Sequence, residues 1–106
     1  MQGVKAMAQV YSINRLRDLV SPIARQFGVK RVYVFGSYGR GEATTKSDLD
    51  IRIDAGNIRS LFELADFRLT LEEQLSMPVD VVTSDIDDVR FLNAISPDEV
   101  LLYAEQ

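Results

Sequence analysis

With 106 residues, 46% hydrophobic and 26% charged, the chain is expected to form one small domain with a modest core and no room for a separate substrate domain, and its composition excludes disorder and low complexity. Its formal charge of -4 argues against a long polyanion as a resting partner, so no stable nucleic-acid binding is expected. Cysteine and histidine are absent, which removes disulfides, thiolate and imidazole metal ligands and the commonest general base; carboxylates and a hard cation such as Mg2+ or Mn2+ remain.

Residues 1–10 carry no hydrophobic period and are expected to form a flexible leader to a single domain over 11–106. From Ser12, an N-cap candidate, Ile13, Leu16, Leu19, Val20, Ile23, Ala24 and Phe27 recur at helical spacing, and Gly28 stands where a C-terminal cap belongs. Pro22 lies inside that helix and is expected to kink or split it, because it removes a backbone donor and crowds the preceding turn. Val29 to Phe35 is a β-branched and aromatic run that ends in the Gly36-Ser37 turn, and reads as a central strand.

A loop over 38–47, with one helical turn starting at Ser37, leads to a strictly alternating strand from Asp48 to Asp54. Leu49, Ile51 and Ile53 point to one side, and Asp48, Asp50, Arg52 and Asp54 to the other. Residues 58–76 carry Leu61, Phe62, Leu64, Ala65, Leu71 and Leu75 at helical spacing; Pro78 then opens a third strand, Val79 to Thr83. A helix from Asp87 to Ile95 and an edge strand from Glu99 to Tyr103 complete an α/β chain of α+β type: a small mixed sheet with helices on one face and the other face open to a ligand. No apolar run approaches the roughly 20 residues that span a bilayer, and no signal peptide is visible, so a cytoplasmic protein without a membrane partner is expected.

The chemistry concentrates in one segment. Gly36 and Ser37 can offer backbone N–H groups and a hydroxyl to phosphate oxygens, and Asp48 and Asp50, about 6.6 Å apart on one strand face, can hold the cation those phosphates require. Asp80 is a candidate third ligand and proton acceptor, because an unpaired charge in an otherwise apolar strand would cost several kcal/mol if buried. Of the loop cations, Arg40 is taken as a phosphate contact, together with Ser47, and Lys46 as a solvated charge. Tyr38 could stack on a base or be modified, but packing over the loop is at least as good a reading.

Gly36-Ser37, Asp48-Leu49-Asp50 and Pro78-Val79-Asp80-Val81-Val82 together resemble the minimal nucleotidyltransferases (MNT) of the polymerase beta superfamily, from about residue 10 to the end. The resemblance implies that Gly36 and Ser37 bind a triphosphate, that Asp48 and Asp50 hold Mg2+ and that Asp80 assists as ligand or base. It further implies an antitoxin of a type VII toxin–antitoxin pair, which transfers AMP from ATP to a tyrosine hydroxyl of a HEPN-domain RNase toxin within a hetero-oligomer. Two positions depart from the family's habit: Gly39 stands where many members have alanine and Thr45 where many have proline, and both changes are expected to loosen the loop.

Plainer alternatives remain at this stage. Gly36-Ser37 could be an ordinary strand-to-helix turn, Asp48 and Asp50 the solvated face of an edge strand, and Asp80 a structural partner of Arg52. In function, the alternatives are a non-catalytic module that neutralises a toxin by binding it, and nucleotidyl transfer to a small molecule.

Overall fold

The computed structural model describes residues 9–85 and 88–106. Most of the expected leader, and Asp87 at the expected start of the last helix, lie outside the described residues. The elements are α1 (Ile13–Phe27), β1 (Arg31–Phe35), the one-turn α2 (Gly36–Gly39), β2 (Leu49–Asp54), α3 (Leu61–Leu75), β3 (Val79–Thr83), α4 (Val89–Ile95) and, after a 3-10 turn at Ser96–Asp98, β4 (Val100–Ala104). The sheet order is β3-β2-β1-β4, with β1 antiparallel to both β2 and β4, and β2 parallel to β3.

The alternation of β2 is borne out: Leu49, Ile51 and Ile53 are fully buried beneath α1 and α3, beside Val32 and Val34 of β1. Leu16, Val20, Ile23 and Ala24 of α1 and Phe67, Leu71 and Leu75 of α3 close this core, with Phe67 edge-on to Phe27 at 5.5 Å. Full burial of such side chains is worth about 1.5–3 kcal/mol each, so this layer dominates stability. Ser12 caps α1 by accepting from Arg15 N–H at 3.0 Å, and Ser60 caps α3 by accepting from Glu63 N–H at 3.1 Å.

Two expectations about helices are corrected. Pro22 does not split α1, which is assigned as one unbroken helix. Pro22 is on the exposed side, and the carbonyl it leaves without a helical donor belongs to Asp18, also exposed, where water can satisfy it. In α3, Leu61 and Phe62 are 73% and 89% exposed, while Phe67, absent from the expected apolar set, is fully buried. The i, i+4 row of Phe67, Leu71 and Leu75 is the buried stripe of α3, and Leu61 and Phe62 lie off it.

The face opposite α1 and α3 is only partly open. Phe91 of α4 stands edge-on to Phe35 at 6.3 Å, and Arg52 lies over the Tyr33 ring, 4.3 Å from its centroid, so the β1 and β4 side of this face is covered. What stays accessible is the end of the sheet where β2 and β3 begin.

Candidate functional site

β2 is an inner strand, so Asp50 is not on a solvated edge, and the edge-strand reading of the paired aspartates fails. In the register Asp50 sits opposite Phe35, the last residue of β1, on one side and Asp80 of β3 on the other. The chain turns at Gly36 directly after Phe35, with φ 65, and a Cβ there would overlap the Asp50 carboxylate oxygen Oδ2. Glycine is therefore required twice, for a left-handed backbone and for the approach of the turn to Asp50. The first N–H groups of α2 have no acceptor within their own turn, and they start where this carboxylate lies.

Asp80 is exposed, which corrects the reason for singling it out. β3 is an edge strand; Val79 and Thr83 face the helices, and Asp80 stands on the other face. No burial cost attaches to it, and it is no partner of Arg52. Its position gives it significance: partial burial, then the charge of Asp80 and a hydrogen bond with it, then the charge of Asp48, push the Asp50 carboxyl up to about 6, against a smaller opposing pull from Arg40. Asp48, exposed just ahead of β2, adds negative charge from the open end.

The remaining expected contacts are placed as follows. Arg40 is held by Glu42 at 3.0 Å and Asp98 at 3.2 Å, so its guanidinium borders the carboxylates without pairing to them. Ser37 is half-buried and its carbonyl accepts from Glu42 N–H at 2.8 Å, which folds the loop back on α2. The Ser47 hydroxyl accepts from Thr44 N–H at 2.9 Å and so shapes the loop before Asp48. Tyr38 is buried, its hydroxyl accepting from Tyr11 N–H at 3.4 Å, as the packing reading requires. Gly39 does not loosen the loop: a Cβ there would overlap the backbone oxygen of Asp98, so this glycine lets the 3-10 turn pack against α2.

Arg52, weighed in the sequence only as a partner for Asp80, and Asp54 organise the other end of this face. Arg52 donates through Nε and Nη2 to the two carboxylate oxygens of Glu99 and through Nη1 to Asp54 at 3.0 Å, with side chains only 16%, 10% and 23% exposed. Asp54 also accepts from Arg31 at 2.9 Å and from the Ser84 hydroxyl. Burial works to raise the Asp54 carboxyl, but these hydrogen bonds and the two guanidinium charges outweigh it and hold the group below its ordinary value. The Asp-x-Arg-x-Asp stripe was the only signal in sequence; nothing local ties it to Glu99.

Among the described residues no three metal-ligating side chains converge into a ready cage. The donors nevertheless suit a hard divalent ion in type: all are carboxylates, and Asp50 and Asp80 sit together with the mutual repulsion a cation relieves. The Asp50 carboxylate of an inner strand, a glycine turn pressed against it and an edge-strand carboxylate in register thus meet at one end of the sheet, in a fold of the nucleotidyltransferase class.

Comparison with known proteins agrees. Residues 18–106 match the family described as polymerase beta, nucleotidyltransferase, and the chain belongs to that family. A candidate protein adenylyltransferase of Methanocaldococcus jannaschii is 42% identical over 72 residues, covering 68% of this chain and 77% of that protein. The fold superposes on a toxin–antitoxin crystal structure with AMP-PNP at a TM-score of 0.74, 21% identity, with 85% of this chain and 74% of that one covered. It also superposes on the complex of a tri-AMPylated Shewanella oneidensis HEPN toxin with its MNT antitoxin, at a TM-score of 0.67 and 18% identity, with 86% and 71% covered. At these identities the structural likeness concerns the fold. No helix among the described residues is long and apolar enough to cross a membrane.

Proposed function

We propose that this chain is a Mg2+-dependent protein adenylyltransferase that acts as an antitoxin: it moves AMP from ATP onto a hydroxyl, tyrosine being the expected acceptor, of a HEPN-domain toxin in the cytoplasm. The observation that carries the reading is the meeting of Asp50, Asp80 and the Gly36 turn at one end of the sheet. The adenylyltransferase name of the Methanocaldococcus relative, and the AMP-PNP and AMPylated-toxin complexes that share the fold, support the choice of nucleotide and acceptor.

In this mechanism the Gly36 and Ser37 backbone and the Ser37 hydroxyl hold the β- and γ-phosphates of ATP, with Arg40 and Ser47 bordering them. Asp48, Asp50 and Asp80 would hold Mg2+ or Mn2+, which when bound neutralises charge on the phosphates. The acceptor oxygen attacks the α-phosphorus, the bond from that phosphorus to the bridging oxygen of the β-phosphate breaks, and pyrophosphate leaves. The acceptor's proton passes to Asp80, which the open edge strand leaves accessible to a protein substrate.

The test is the intact mass of a HEPN-domain partner after incubation with this protein, ATP and Mg2+, beside the double variant Asp48→Asn/Asp50→Asn. Gain of one or more AMP units, lost in the variant, supports the transferase. An unmodified partner that is bound and inactivated by both proteins would replace it with the neutralising module.

A further inference from the structure

Asp98 and Glu99, consecutive acids after α4, each hold an arginine, and they hold them differently. Glu99 grips Arg52 through both carboxylate oxygens, with side chains 10% and 16% exposed. Asp98 meets Arg40 through one contact, Nη1 to Oδ2 at 3.2 Å, with side chains 32% and 44% exposed. A partly buried, two-pronged pair is fixed, whereas a single exposed ion pair is weak and exchanges readily. The weak pair is the one that stands at the site. Arg40 directly follows α2, its N–H donates to the Gly36 carbonyl at 3.0 Å, and its charge reaches the carboxylates, where it opposes the upward shift of Asp50.

The two partners of Arg40 also differ in how they are anchored. Glu42 lies two residues further along the same loop and can travel with it. Asp98 comes from 58 residues away and its backbone is held on every side. Pro97 stiffens the 3-10 turn, Glu99 N–H closes it on the Ser96 carbonyl at 3.1 Å, the Asp98 carbonyl oxygen is pressed against Gly39, and the next residue is tied to Arg52. An anchored acid therefore holds a cation that is free to swing, and Nη2 of Arg40 has no partner among the described residues.

We propose that Asp98 is a positioning residue for nucleotide binding: acting through Arg40, it keeps the guanidinium at the rim of the site and yields it to a phosphate group when a nucleoside triphosphate enters. The proposal rests on the nucleotidyltransferase reading above and concerns how that same site takes up its substrate. The exchange is favoured in that direction, because a polyphosphate carries more charge than one carboxylate and offers the planar guanidinium two oxygens at once. Each nucleotide that binds must displace Asp98, so this residue weakens binding by the strength of its contact with Arg40.

The experiment is calorimetric titration of the full chain with ATP and Mg2+, for the wild type, Asp98→Asn, Arg40→Ala and the double variant. Asp98→Asn keeps the size of the side chain and removes its charge, and circular dichroism reports whether the fold is kept. The expected result is that Asp98→Asn binds ATP about two- to fivefold more tightly, the scale on which an exposed ion pair competes, and that the same substitution gives no gain in the Arg40→Ala background. A merely structural Asp98 would loosen the turn and weaken binding; that outcome, or unchanged affinity, overturns the proposal. So does an equal gain with and without Arg40, which would mean that Asp98 repels the phosphates directly. A second measurement needs no variant: the nuclear magnetic resonance signal of the Arg40 Nε–H in the wild type should shift as ATP is added, and a signal unmoved at saturation overturns the exchange. A wild type that binds no ATP removes the nucleotidyltransferase reading itself, a failure seen before any variant is compared.

Discussion

Arg52 and Asp54 on the polar face of β2 are fully partnered, by Glu99, Ser84 and Arg31, whereas Asp50, two residues earlier on the same face, meets another carboxylate. Charges of one strand, at one spacing, are neutralised at one end and left in mutual repulsion at the other. Folding alone would favour partners for both, since a partly buried carboxylate that faces another carboxylate lowers stability. The compensated end holds β2 to β4 and the segment after β3; the uncompensated end keeps negative charge where a cation and phosphates can use it. That contrast separates compensated from uncompensated charge without reference to any relative.

Several substitutions sharpen or break the contrast. The largest effect is expected from Asp48→Asn/Asp50→Asn, which should cut AMP transfer by about 10²-fold or more, the scale seen when a preorganised charge-stabilising group is lost. Intact mass of the acceptor measures it, and near-normal transfer would place the chemistry elsewhere. Next comes Arg52→Ala, which strands Glu99 and Asp54 partly buried and should cost about 3 kcal/mol in urea denaturation. A loss below about 0.5 kcal/mol, the scale of an ordinary surface change, would mean that the partnered end is no more structural than a surface pair.

Gly36→Ala should cost about 1–3 kcal/mol through its left-handed backbone and its overlap with Asp50, and should also reduce ATP binding measured by titration. Loss of stability with unchanged nucleotide affinity would make the turn purely architectural.

Asp50→Asn alone carries the opposite sign. Because the folded carboxyl titrates near 6 and the unfolded one near 3.8, the folded protein binds more protons between these values, so this group's contribution to stability is present below about pH 4 and lost as pH rises through about 6. In EDTA, Asp50→Asn should therefore stabilise the protein at pH 7–8 by about 1 kcal/mol, a figure already discounted for solvent screening, and the gain should vanish below about pH 4. Denaturation midpoints across pH measure it; a variant less stable than wild type at pH 8 would remove the argument from repulsion. The smallest effect on stability is expected for Arg40→Ala, under about 1 kcal/mol, because its ion pairs with Glu42 and Asp98 are largely exposed. A raised KM for ATP would then assign Arg40 to the phosphates, and an unchanged one to the loop.

Local pattern carried much of this protein. Strict alternation in β2, the Ser12 cap and the apolar row of α1 are consequences of backbone periodicity, and they read directly from residue order. So did the Gly36-Ser37 turn and the Asp48-Leu49-Asp50 pair, because each is a short local run of residues. Other features depended on contacts distant in sequence. That Asp50 faces Asp80 follows from the parallel register of β2 and β3; that Arg52 is committed to Glu99 follows from β4 returning beside β1. The exposure of Asp80 and the requirement for glycine at position 39 likewise depend on which surfaces meet, and Phe62 lies outside the core because the buried stripe of α3 is the row of Phe67, Leu71 and Leu75. The sequence by itself determined the elements and the chemical groups, since these depend on near neighbours; tertiary structure decided which charges are compensated, since that depends on which strands lie side by side.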